Sequence, residues 1–131
     1  MRQLMIAAPM AMVFLVSGCA GLAPLPPDAD FGPPPVAYEE AIKVHMETKL
    51  KDPDSAKYRF GQPRKGYANK GMALGGQVIF VGYVVPFQVN AKNSFGGYTG
   101  FKPFQALVHG GNRGVKGVFD GDSHPLVHEV E

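Results

Sequence analysis

The sequence predicts an α+β fold, with one N-terminal helix packed on an antiparallel sheet of about four strands. Three observations predict it. Apolar residues recur at helical spacing in a single stretch, residues 36–51. After residue 60 the apolar period becomes two, the period of a strand with one buried face. Fourteen of the 17 glycines also lie after residue 60, where a chain of short strands needs its turns.

The helix is expected over Val36–Lys51. Tyr38, Ile42, Met46 and Leu50 recur every four residues, with Ala41 and His45 beside them, and form one apolar stripe. Glu39/Lys43 and Glu47/Lys51 are i,i+4 pairs in the favourable order on the other side. Prolines 33–35 precede the stretch, and Asp52-Pro53 ends it because a residue before proline avoids the helical region. Asp52-Pro53-Asp54-Ser55 then suits one further short turn.

The first strand is Lys57–Gly61, with Tyr58 and Phe60 inward. Arg64–Gly75 reads as a weak strand with a loop. The long strand runs from Ile79 to Ala91. Its odd positions (Ile79, Val81, Tyr83, Val85, Phe87, Val89, Ala91) are all apolar, so the odd face is expected in the core throughout. Its even positions pass from Val78 and Phe80 to Pro86, Gln88 and Asn90, so the second half has a wetter outer face. Pro86 lacks a donor and demands an edge, a bulge or a break. Phe101–His109 and Val115–Phe119 are two more strands, joined by the turn-forming Gly110-Gly111-Asn112-Arg113-Gly114. Residues 120–131 are expected as a poorly ordered tail.

Composition narrows the function classes. The 131 residues hold 13 Lys+Arg against 11 Asp+Glu, a net charge of +2 that is too balanced for nucleic acid as a partner. One cysteine excludes an internal disulfide framework and a multi-Cys zinc site. Length allows one domain.

The front end reads as an address. Met1-Arg2-Gln3 is a short positive start, and Leu4–Val16 is an apolar run of 13 residues, too short for a bilayer-spanning helix. Val16-Ser17-Gly18-Cys19 follows, and it resembles the lipobox of bacterial lipoproteins. The resemblance implies a signal peptide over residues 1–18, cleavage before Cys19, and acylation of Cys19 with diacylglycerol and a further chain such as palmitate. By the sorting habit of that family, Ala20 in the position after the cysteine implies the outer membrane, with the domain facing the periplasm. Residues 19–35 then form the lipidated cysteine and a tether. Six of the 12 prolines fall between Gly21 and Pro35. Such a segment is expected as an extended spacer of about 3.1 Å per residue, holding a domain at residues 36–119 up to roughly 45 Å from the lipid.

The most distinctive stretch is Val89–Phe104, VNAKNSFGGYTGFKPF. Together with Asp52-Pro53-Asp54-Ser55-Ala56-Lys57-Tyr58, it resembles a group of small bacterial and phage-associated secreted proteins and lipoproteins that share a VNAKN…GGY core preceded by a DP…SA segment. The resemblance covers about residues 40 to 108 and implies a shared domain, without an activity.

The stretch itself has two readings. In one, Gly96, Gly97 and Gly100 supply turn conformations, asparagine side chains cap the loop, and Tyr98, Phe101 and Phe104 cover the sheet end. In the other, Asn90, Lys92, Asn93 and Tyr98 form a polar, aromatic binding patch for a partner. A phosphate loop is excluded, since no Gly-Lys-Ser/Thr occurs and Pro103 blocks the helix that should follow. Lys92 and Ser94 as a Ser/Lys dyad lack any oxyanion donor. Asp120-Gly121-Asp122-Ser123-His124 imitates the start of a calcium loop, but Pro125 stands where the central glycine is required. No catalytic residue, metal or cofactor is therefore expected. The leading expectation is a non-enzymatic outer-membrane lipoprotein that displays a small partner-binding domain in the periplasm. An exclusion or inhibitor lipoprotein acting against a phage, a toxin or a cell-wall enzyme is the alternative. A small hydrolase ranks third.

Overall fold

The computed structural model describes residues 21–131. The expected signal segment and Cys19 lie outside the described residues. Among the described residues no helix is long and apolar enough to cross a membrane.

The fold expected from sequence needs correction. Among the described residues the chain forms six antiparallel strands, not about four, and one α-helix of nine residues. The strands are β1 (Lys57–Phe60), β2 (Arg64–Asn69), β3 (Val78–Asn90), β4 (Lys102–Val108), β5 (Val115–Asp120) and β6 (Val127–Glu129). The helix α1 is Tyr38–Met46. β2 occupies the first half of the segment expected as a weak strand with a loop, where Arg64, Lys65 and Gly66 weaken the alternation, and β6 is a strand that the sequence does not predict. β6 lies in the expected tail and pairs with β2 through Gly66↔Glu129, Tyr67↔His128 and Ala68↔Val127. The sheet order is β5-β4-β3-β2-β6, with β1 also paired to β3.

The helix is shorter than its apolar stripe because both ends are claimed elsewhere. The Val36 amide donates to the Gly111 carbonyl, and Ala37 sits in the left-handed region at φ 53°, so helical geometry starts at Tyr38. At the other end the Thr48 hydroxyl donates to the His45 carbonyl, a side-chain bond that competes with the helix ladder. Ile42 and Met46 are fully buried against Val85, Phe87, Val89, Ala106 and Val108. Beneath them a row of rings crosses three strands. Phe60, Phe87 and Phe104 are register partners in β1, β3 and β4, with centroids 5.9 and 5.5 Å apart.

β3 is the strand every other element refers to. One of its edges pairs with β4 over Tyr83–Val89; the other pairs with β2 over Val78–Val84 and with β1 over Phe87–Asn90. Pro86 falls at the break between β1 and β2. Its carbonyl accepts from the Gly61 amide on that edge. The N–H and C=O of a strand residue point the same way, so the donor that Pro86 lacks belongs to a rung the break already interrupts.

The core does not follow one face of β3. From Val85 to Val89 the odd positions are buried under α1, and Gln88 is exposed. At the start of the strand the parity reverses. Ile79 is exposed and Val81 half-buried, while Phe80 and Val84 are buried with Ala68 and Leu107 on the even face. Residues 121–126 join the two edge strands, and Phe119 and Val127 on either side of them pack on this even face. The His124 ring lies 4.5 Å from that of Phe119, and the Leu126 carbonyl accepts from the Asn69 amide. Gly66 permits the close packing here, since a Cβ at that position would come 2.6 Å from the His128 carbonyl oxygen.

Residues 21–36 do not stand away as a spacer. Prolines remove amide donors but keep their carbonyls, and this segment docks largely through carbonyls. Asn69 Nδ2 donates to Ala23, the Tyr83 hydroxyl to Gly32 and the Gly111 amide to Pro33. The Lys65 ammonium lies 5.6 Å from the centre of the Phe31 ring.

This burial pattern is testable by a paired substitution. Val84→Asp places an unpaired carboxylate in a site buried on all sides, at a cost of several kcal/mol, and is expected to abolish cooperative thermal unfolding. Ile79→Asp is expected to change the melting temperature little. Circular dichroism melts decide, and a cooperative Val84→Asp transition would reverse the assignment of faces.

Candidate functional site

The connection between β3 and β4, residues 91–101, is a hairpin tip that continues the ladder by one bridge, Lys92↔Tyr98. Local chemistry fixes it. The Asn93 side-chain oxygen accepts from the Phe95 amide at 2.9 Å and the Gly97 amide at 3.2 Å. The Asn93 amide donates to the Gly97 carbonyl, and the Gly96 amide to the Asn93 carbonyl. Asn90 accepts from the Gly100 amide at 3.1 Å. Asparagine suits both places because its short carbonyl reaches a backbone amide a few residues on.

A second anchor comes from the turn before β1. Ser55 Oγ accepts from the Lys92 amide at 2.8 Å and donates to the Asp52 carbonyl at 2.8 Å. The Tyr98 hydroxyl donates to the Ser55 carbonyl at 3.0 Å. The two motifs singled out in the sequence, 52–58 and 89–100, are thus joined directly in the fold. Each bond of this kind contributes about 1 kcal/mol net.

The four residues expected to bind lie together, but in different roles. Asn90 and Asn93 use their side-chain oxygens inside the loop. Tyr98 braces the loop against Ser55, and its ring has Lys57 Nζ 4.8 Å and Lys92 Nζ 5.7 Å from its centre. Lys92 keeps its ammonium available. The outward feature is Phe95, which is 96% exposed at the tip. Nearby, the Arg59 guanidinium lies 3.7 Å from the centre of the Phe101 ring.

Beside the tip is a groove of about 220 Å³ with an apolar floor, formed by Leu50, Val89, Ala91 and Phe104. Lys49, Lys51, Lys92 and Lys102 line it. Lys49 is partly offset by Asp120 at 4.0 Å. A larger groove of about 490 Å³ along α1 has a net acidic wall, with Glu39, Glu40, Glu47 and Asp54 against a single Lys43 that pairs with Glu40. There burial, and secondarily Glu47, raises the Tyr58 hydroxyl above its usual pKa. The end of the domain around the hairpin is therefore cationic with aromatic relief. Spacing along the chain does not group Lys49, Lys51, Lys57 and Lys102, because they come from three separate segments that meet only in the fold.

The histidines have separate packing roles. His128 stacks on Tyr67 at 4.7 Å, His124 Nδ1 accepts from the Leu126 amide, and His109 meets the edge of Phe80 at 5.2 Å. Burial lowers the His109 pKa, and Arg113 and Lys116 lower it further. Among the described residues no three of His, Cys, Asp and Glu cluster at metal-binding distance. No protein-family model matches the chain, no curated protein matches its sequence and no solved structure matches its fold.

The anchoring role of Ser55 is measurable. Ser55→Ala and Tyr98→Phe are each expected to lower the free energy of unfolding by about 1 kcal/mol in urea titrations, with an unchanged denaturant slope. An effect near zero in both would remove Ser55 from the account of how the hairpin is held.

Proposed function

We propose that this chain is a non-enzymatic lipoprotein of the outer membrane, anchored through Cys19, whose periplasmic domain binds a protein partner through the hairpin tip. The observation that carries this reading is Phe95. A phenylalanine exposed to 96% gains nothing for the fold, yet the loop that presents it is pinned by Asn90, Asn93 and Ser55. A rigid loop with an exposed aromatic residue loses little entropy on docking and offers a central anchor for an interface. Lys57 and Lys92 lie over the Tyr98 ring of the same hairpin, and Lys49, Lys51 and Lys102 line the adjacent groove, so the fitting partner has an apolar slot with an acidic rim. Lipid attachment rests on the Val16–Cys19 pattern. One acyl chain binds a membrane only marginally, and the two or more chains of a lipoprotein bind stably.

The test uses the lipidated protein as bait for detergent-solubilised envelope. Phe95→Asp is expected to lose the captured partner while keeping the wild-type melting temperature, and Lys92→Ala to weaken capture and its salt dependence. Retention of the same partner at wild-type yield by Phe95→Asp would refute binding through the tip. The anchor is tested separately, since Cys19→Ser is expected to abolish incorporation of labelled palmitate.

A further inference from the structure

The docked N-terminal segment fixes where Gly21, the first described residue, sits on the domain. The Ala23 amide donates to the Gly76 carbonyl at 2.8 Å, and Asn69 Nδ2 donates to the carbonyls of both Ala23 and Gly76 at 2.9 Å. The Gly21 carbonyl lies so close to Gly76 that a Cβ there would approach it to 2.6 Å. Gly21 thus lies beside the loop that contains Gly76, and Cys19 precedes Gly21 by two residues in the sequence.

That loop carries an apolar patch. Residues 71–76 close on themselves through the Leu74 and Gly76 amides, which both donate to the Gly71 carbonyl. This turn presents Met72 at 66% and Leu74 at 72% exposure, and Ile79 follows at 47% just inside β3. Nothing else in the described chain covers them. Lys70, at the base of the loop, is exposed. Apolar side chains with a cation behind them match the boundary between acyl chains and anionic head groups.

We propose that the Met72–Leu74 loop, with Ile79, is a second membrane contact that lies in the lipid surface beside the Cys19 anchor. This inference rests on the anchoring reading above and adds an orientation to it. β3 starts at this loop and ends at the binding hairpin, and its 13 residues span about 40 Å at the usual strand rise. The domain lies with its 71–79 end on the membrane and its Phe95 tip directed away from it.

The experiment uses the full chain, acylated in cells and reconstituted into vesicles of phosphatidylethanolamine and phosphatidylglycerol. Mass spectrometry first establishes acylation of Cys19. Acylation blocks the only native thiol, so Leu74→Cys and Phe95→Cys can each be labelled with an environment-sensitive fluorophore. The label at 74 is expected to shift to the blue and to lose most of its emission to lipids brominated in the acyl chains. The label at 95 is expected to do neither. A vesicle-bound, acylated protein whose label at 74 is as unquenched as that at 95 overturns the inference and leaves the anchoring reading intact. A label at 74 that shifts to the blue with protein density but resists brominated lipid shows a second copy on the patch, and also overturns it. A chain without acyl groups refutes the anchoring reading and this inference with it.

Discussion

The pairing of β3, along nearly its whole length on one edge and over Tyr83–Val89 on the other, is the constraint on which the rest of the molecule depends. β4 holds one side of it, and β2 and β1 share the other in succession. Because β3 is longer than any of its partners, one edge is shared by two strands in succession, while β4 covers only Tyr83–Val89 of the other. The break between β1 and β2 absorbs the missing donor of Pro86. Residues 82–85 are buried consecutively, which requires cover on both faces of the sheet at once. Helix α1 and the docked 21–36 segment supply it on one face, and Phe119 and Val127 pack with the cluster on the other. Both ends of the described chain are thus recruited to bury one strand.

That arrangement separates two surfaces. The N-terminal end of β3 carries the 71–76 loop and the exit of residue 21; the C-terminal end carries the hairpin and its lysines. Neither surface is a loose loop. Hydrogen bonds from Asn69 hold the first, and Asn90, Asn93 and Ser55 hold the second. Asparagine is used at both because its amide can bind backbone groups from chain segments that do not share a ladder. In the first case this leaves the Asn69 Oδ1 buried without a partner, which opposes part of the stabilisation its Nδ2 provides.

The charge distribution follows the same axis. A net charge of +2 conceals a cationic hairpin end and an acidic groove along α1. Composition averages over the two and so argues only against nucleic acid. A protein partner meets the local field, and within a Debye length of about 8 Å at physiological salt the lysines at the tip act together.

The sequence by itself determined the local elements that have strong periodicity. The long strand was read at Ile79–Ala91 and lies at Val78–Asn90; the strands at 102–108 and 115–120 and the turn between them were equally legible. The turn chemistry of Asn93 and the glycines was legible too, because an Asx turn is decided by neighbours in the chain. Only the tertiary structure decided the rest. The parity of β3 reverses along its length because different segments cover its two halves, and no window of one strand contains that fact. β2 is a strand because β3 and β6 pair with its two edges, and β6 because it pairs with β2, although neither has a clear alternation of its own. The proline-rich segment is docked because its carbonyls meet donors from Asn69, Tyr83 and Gly111, residues far along the chain. The lysine-lined groove and the Ser55 brace exist for the same reason. They are contacts between distant segments, and spacing along a sequence records only what is near.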